Sequence, residues 1–114
     1  MQQIGSTTPQ PEVPIACQPG AIDASRRAGH FALAERLFSE AVREQKETAD
    51  GYAFRFDAGE YPSLVEYIAS ERLCCPFLRF RLDVSPGQGP IWLRLGGGQG
   101  VKEFLQHEFG RPQK

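Results

Sequence analysis

Glu71-Arg72-Leu73-Cys74-Cys75-Pro76-Phe77-Leu78-Arg79-Phe80 is a junction where a helix gives way to a strand. Pro76 has no N–H and disfavours the α conformation at the residue before it, so a helix reaching this point ends at or just before Cys75. On its N-terminal side, Gly59 breaks the chain and Pro62 occupies a first-turn position. Leu64, Val65, Ile68 and Cys75 then follow at helical spacing and predict one apolar face. On the C-terminal side, Leu78, Phe80, Leu82 and Val84 alternate with Arg79, Arg81 and Asp83. That period of two belongs to a strand with one buried face.

The reading extends outward from there. Ser85-Pro86-Gly87-Gln88-Gly89-Pro90 reverses the chain, and Ile91, Leu93 and Leu95 alternate with Trp92 and Arg94 in a second strand. Gly96 to Gly100 leads into a last helix with Val101, Phe104, Leu105 and Glu108 on one side. Toward the N-terminus, Asp50-Gly51 is a hairpin signal directly before the alternating Tyr52-Ala53-Phe54-Arg55-Phe56. That strand needs a partner. The helix that opens after Asp23, an N-cap type, carries Phe31, Ala34, Leu37, Phe38 and Ala41 at helical spacing. It is therefore expected to stop near Ala41, leaving Val42–Thr48 as a polar edge strand.

The order α-β-β-α-β-β-α predicts an α+β domain, with helices on one face of a four-stranded, mainly antiparallel sheet. It should occupy residues 15–110. Residues 1–14, rich in Gln, Thr and Pro, read as a flexible tail, with Val13–Cys17 in part an extended piece laid against the core, and 111–114 as a short C-terminal tail.

The totals exclude more than they specify. A net charge of −1 gives no general attraction to nucleic acid or to an anionic membrane. No apolar run approaches the roughly 20 residues of a spanning helix. The first residues lack a basic region followed by an apolar core, and three cysteines, two of them adjacent, do not form a secreted disulfide framework. A cytoplasmic location is the expectation.

Chemistry concentrates at the junction. Cys74 and Cys75 are adjacent thiols in the last turn of a helix, and Glu71 lies three and four residues before them. Cys75 shares the face of Leu64 and Ile68 and is expected to be buried, whereas Cys74, turned about 100° away, is expected to be the more available thiol. Cys17 is the remaining thiol, and if its segment docks beside the helix end, three sulfurs converge. Soft thiolates select Cu(I), Zn and similar ions, and the same softness admits Hg(II) and As(III). The candidate ligand set is thus Cys74, Cys75, Cys17 and Glu71, with Hg, As, Cu or Zn as the ion. Against zinc, His30 and His107 stand at no zinc-finger spacing. The alternatives are a structural or interaction domain with packed thiols, and a thiol redox protein in which Cys17 bridges to one of the pair. A helix C-terminus raises thiol pKa values unless Arg72 or Arg79 points inward, which argues against reactive cysteines. No enzymatic activity is read from the sequence, although cleavage of a metal–carbon bond with Glu71 as proton donor is chemically conceivable.

The run Glu71-Arg72-x-Cys74-Cys75-Pro76-Phe77, with Ile91-Trp92-Leu93-Arg94-Leu95 and the glycine-rich lead into Val101-Lys102-Glu103-Phe104-Leu105, resembles a set of small bacterial proteins of unassigned function. The resemblance covers the last half of the chain and a cysteine near its start. It implies a bacterial, cytoplasmic protein and lends no activity.

Two other features carry weaker expectations. Gly96–Gly100 joins a strand to a helix, as anion-binding loops do, but lacks both the G-x-G-x-x-G and the P-loop pattern. Arg55, Arg79, Arg81 and Arg94, with Phe77 and Trp92, are expected on the outer sheet face. Such a face suits a single-stranded RNA platform, a homodimer contact around Trp92, or a solvated surface paired with Asp83, Asp57 or Glu44. A chain that is not basic overall makes nucleic acid the poorer choice.

Overall fold

The computed structural model of the chain describes residues 13–110. Its strands are β1 (Glu44–Glu47), β2 (Tyr52–Phe56), β3 (Arg79–Val84) and β4 (Ile91–Gly96), and its helices α1 (Ala24–Arg36), α2 (Tyr61–Cys74) and α3 (Val101–Phe109). The strands form one sheet in the order β1-β2-β4-β3, with every neighbouring pair antiparallel. The expected α+β order is therefore present, including the β1–β2 hairpin. The tails expected over 1–14 and 111–114 lie outside the described residues, apart from Val13 and Pro14.

Asp23 caps α1 by accepting from the Ser25 N–H at 3.2 Å. The helix widens into a π turn over Leu37–Ala41, where the Val42 N–H donates to the Leu37 carbonyl at 2.9 Å, and the chain then enters β1. Gly51 is fixed by close approach in the hairpin, since a Cβ there would lie 1.9 Å from the Leu95 carbonyl oxygen. Gly100 takes φ +90° immediately before α3, a backbone region that side chains with a Cβ resist.

One face of the sheet builds the core. Tyr52, Phe54, Phe56, Ile91, Leu93 and Leu95 bury their side chains against Leu37 of the π turn, Leu64 and Tyr67 of α2, and Val101 and Leu105 of α3. Phe38, Phe54 and Phe109 pack with ring centroids 4.9–5.0 Å apart. The opposite face is open. Arg55 sits opposite Glu44 and Trp92, and bonds Glu44 Oε1 at 3.1 Å, while Lys46 Nζ lies 5.0 Å above the Trp92 ring.

Several side chains differ from the sequence reading. Phe77 is not on the outer face but packs on Phe104 beneath the Gly97 loop, with centroids 4.9 Å apart. Arg79 pairs with Asp50 and Asp57 with Arg43, so neither belongs to the expected cross-strand set with Arg55. Glu108 and Phe31 are exposed. The buried face of α2 is Leu64, Tyr67, Ser70 and Cys74, while Val65 is exposed. The reason is that α2 packs on α1 as well as on the sheet. Tyr67 stacks against His30 of α1 and meets Phe38 edge-on, so a polar-looking stripe is internal.

Candidate metal centre

The three cysteines converge. Their sulfur atoms all lie within 4.8 Å of one another, and Cys17 Sγ and Cys75 Sγ are 3.0 Å apart as free thiols. The convergence follows from how the end of α2 is closed. The last carbonyls of a helix lack partners within it, and here the Gln18 N–H donates to the Cys74 carbonyl at 2.7 Å. Two further ties hold that segment. Ile22, 1% exposed, packs with Cys74 and Cys75, and Arg27 of α1 donates to the carbonyls of Pro19 and Ile22 at 3.0 Å each. Cys17 is thereby carried to the helix end by a strap with its own hydrophobic anchor.

Cys75 is the first non-helical residue, at φ −123° and ψ 73°, so its sulfur direction is set by the chain's exit toward Pro76 and not by the helical period. Cys75 is buried as expected, but Cys74 is buried too and is scarcely the more available of the pair. Cys74 is 3% exposed and Cys75 2%, because Cys74 falls on the stripe that faces the strap and α1. Cys17 is the exposed thiol.

Glu71 connects this cluster to a buried histidine. Its Oε2 accepts from Cys75 Sγ at 3.4 Å and its Oε1 lies 2.7 Å from His30 Nε2. It touches one sulfur, but the mutually close set consists of the three thiols. His30 is 4% exposed, and its Nδ1 has no hydrogen-bond partner among the described residues. Sequence reading weighed His30 against a zinc site and gave Tyr67 no role. The signal was present for both. His30 stands seven residues before the buried Leu37, and Tyr67 lies one turn before Glu71. His107 is exposed on α3 and is not part of the centre.

Electrostatics keep Cys74 and Cys75 protonated. Burial pushes the Cys74 thiol up, and the negative charge of Glu71 adds to it. Cys75 is raised much further, by burial first, then by its bond with Cys17 and the charge of Glu71. Burial and the same carboxylate raise Tyr67. Neither Arg72, which is exposed, nor Arg79, which is engaged by Asp50, supplies a compensating cation. The sulfurs open on a cleft of about 600 Å³ whose walls include Phe31, Ala34, Phe38 and Phe109.

The surroundings of the glycine-rich loop do not favour an anion. The Val101 N–H bonds the Gly98 carbonyl, Glu103 stands in the first turn of α3, and Lys102 is held by Thr48 and Glu47.

No protein-family model matches the chain, and comparison with curated proteins and with solved structures returns no match.

Proposed function

We propose that this domain captures a thiophilic metal or metalloid ion on Cys17, Cys74 and Cys75. The supporting observation is the convergence of three free thiols, from two separate segments, within 4.8 Å of one another. Three sulfur donors without a histidine in the set favour Hg(II), As(III) or Cu(I) over a structural zinc, which normally takes four ligands. Binding of Hg(II) or Cu(I) replaces S–H bonds by S–metal bonds, so each thiol releases a proton and affinity climbs with pH while the thiols remain protonated, whereas the hydroxyls of arsenous acid carry those protons away as water. Glu71 is in contact with Cys75 and accepts from its thiol.

Titration of the reduced protein with Hg(II), As(III), Cu(I) and Zn(II), followed by ligand-to-metal charge-transfer absorption, tests the reading. Saturation at one ion per chain is expected, with loss of the band in Cys75→Ser and a weaker complex in Cys17→Ser. Binding no tighter than that of a small dithiol would remove it. A second reading, thiol redox chemistry, draws on the 3.0 Å separation of Cys17 and Cys75.

A further inference from the structure

A bare ion is satisfied by the sulfurs alone, yet the sulfurs form the floor of a cleft of about 600 Å³. That volume lies in the range of sites for small organic molecules, about 300–1,000 Å³. Its walls are mixed, with Glu35, Ser39, Gln45 and Glu108 beside a set of apolar side chains. Phe31 and Ala34 come from α1, Phe38 from the π turn and Phe109 from the end of α3. Phe31 is 44% exposed; its ring lies 5.4 Å from that of His30, tilted by 55°, and much of it is left to meet a ligand. The rings of Phe38 and Phe109, 5.0 Å apart at their centroids and tilted by 49°, both line the cleft, where a further aromatic ring can pack against them.

Resting on the ion-capture reading, we infer that the ligand is an organic derivative of the thiophilic ion, a mercury or arsenic centre bearing one aryl group. The heavy atom sits on the cysteine sulfurs and the aryl group occupies the cleft between Phe31, Ala34, Phe38 and Phe109. With an arylmercury cation, one S–Hg bond replaces one S–H bond, the proton leaves to solvent, and the carbon–mercury bond stays intact. With an aryl arsenous acid, two S–As bonds replace two As–OH bonds, and the hydroxyls leave as two waters carrying the thiol protons. Neither exchange changes an oxidation state.

The test compares phenylmercuric acetate with mercuric chloride, and phenylarsine oxide with arsenite, each in competition with a small dithiol. The quantity read is the preference for the phenyl derivative over the bare ion, relative to the same ratio for the dithiol. Burial of a phenyl group against these apolar side chains gives a preference of about tenfold or more. Phe31→Ala, at an exposed position, should lower it severalfold, and Ala34→Phe, which fills the cleft, should bring it close to one. Any general weakening cancels in the ratio, and the exposed site keeps the first variant folded. Cysteine-dependent binding of the bare ions with no phenyl preference would overturn this inference alone. Absence of binding by bare and phenyl forms alike would overturn it together with the ion-capture reading beneath it.

Discussion

The contact between His30 and Glu71 makes a sharp energetic prediction. The two side chains meet at 2.7 Å and are 2% and 17% exposed, so each is the other's replacement for water. Glu71→Leu would leave His30 with no partner among the described residues on either nitrogen, because Nδ1 has none there already. Orphaning a buried polar group costs about 1–3 kcal/mol, so a loss near 2 kcal/mol is expected for the metal-free, reduced protein. At about 4–8 °C per kcal/mol for a domain of this size, the midpoint falls by about 8–16 °C. His30→Leu should cost less, since the Glu71 carboxylate retains some access to water and its contact with Cys75. Removing both partners leaves no orphan, so the double variant should recover most of the loss. Urea denaturation of the four proteins, read at a common m-value, gives the coupling energy, expected near 2 kcal/mol in magnitude. Additivity within about 0.5 kcal/mol would refute the claim that the pair is buried and mutually dependent.

Labelling of the native reduced protein with a bulky maleimide should modify Cys17 well before Cys74 or Cys75, as peptide mass spectrometry can show; early labelling of Cys74 would contradict its burial. Stability should fall at alkaline pH: thiols ionise near 8.5 in the unfolded chain, while burial holds Cys74 and Cys75 higher in the fold. Their contribution is complete below about pH 8.5 and is lost progressively as pH rises toward the folded values, so a Cys74→Ala/Cys75→Ala protein should show a flatter profile from pH 8 to 10 in chemical denaturation. Diamide treatment should join Cys17 to Cys75 first, given their 3.0 Å separation, and should abolish Hg(II) loading until a reductant is added; a Cys74–Cys75 link as the main product would count against the strap geometry.

Sheet topology was legible because its signals are local. Asp50-Gly51 fixed the hairpin, Pro76 ended α2, and three of the strands alternate cleanly. Helix faces were harder to read. The pattern at Leu64, Val65 and Ile68 assumes that α2 buries a single side, whereas it packs on both the sheet and α1, and the second contact is made by Tyr67 and Ser70, residues that propensity assigns to a surface. The same second contact takes His30 into the interior and Cys74 out of solvent. The approach of Cys17 depends on an unpaired carbonyl at Cys74 and on the anchor at Ile22. Neither leaves a periodic trace in the sequence. The thiol cluster was therefore legible as residue types and illegible as geometry.

The direction of the thiol shifts bears on what such a cluster can do. A nucleophilic or redox cysteine needs thiolate character at neutral pH, which helix N-termini and adjacent cations provide. Here the opposite arrangement holds. The pair ends a helix, is buried, and faces the carboxylate of Glu71, so Cys74 and Cys75 stay protonated and slow toward ordinary electrophiles. A soft cation is not subject to that barrier, since its own charge deprotonates the thiols it binds and neutralises the site as it does so. The carboxylate that suppresses thiolate formation becomes a favourable neighbour once a cation is present. Glu71→Gln should then act in opposite directions, easing alkaline ionisation of Cys75 while weakening capture of Hg(II). Stopped-flow alkylation at pH 9 and competition titration measure the two separately. A variant in which both faster alkylation and tighter ion binding appear would show that Glu71 merely suppresses the thiols and takes no part in holding the cation.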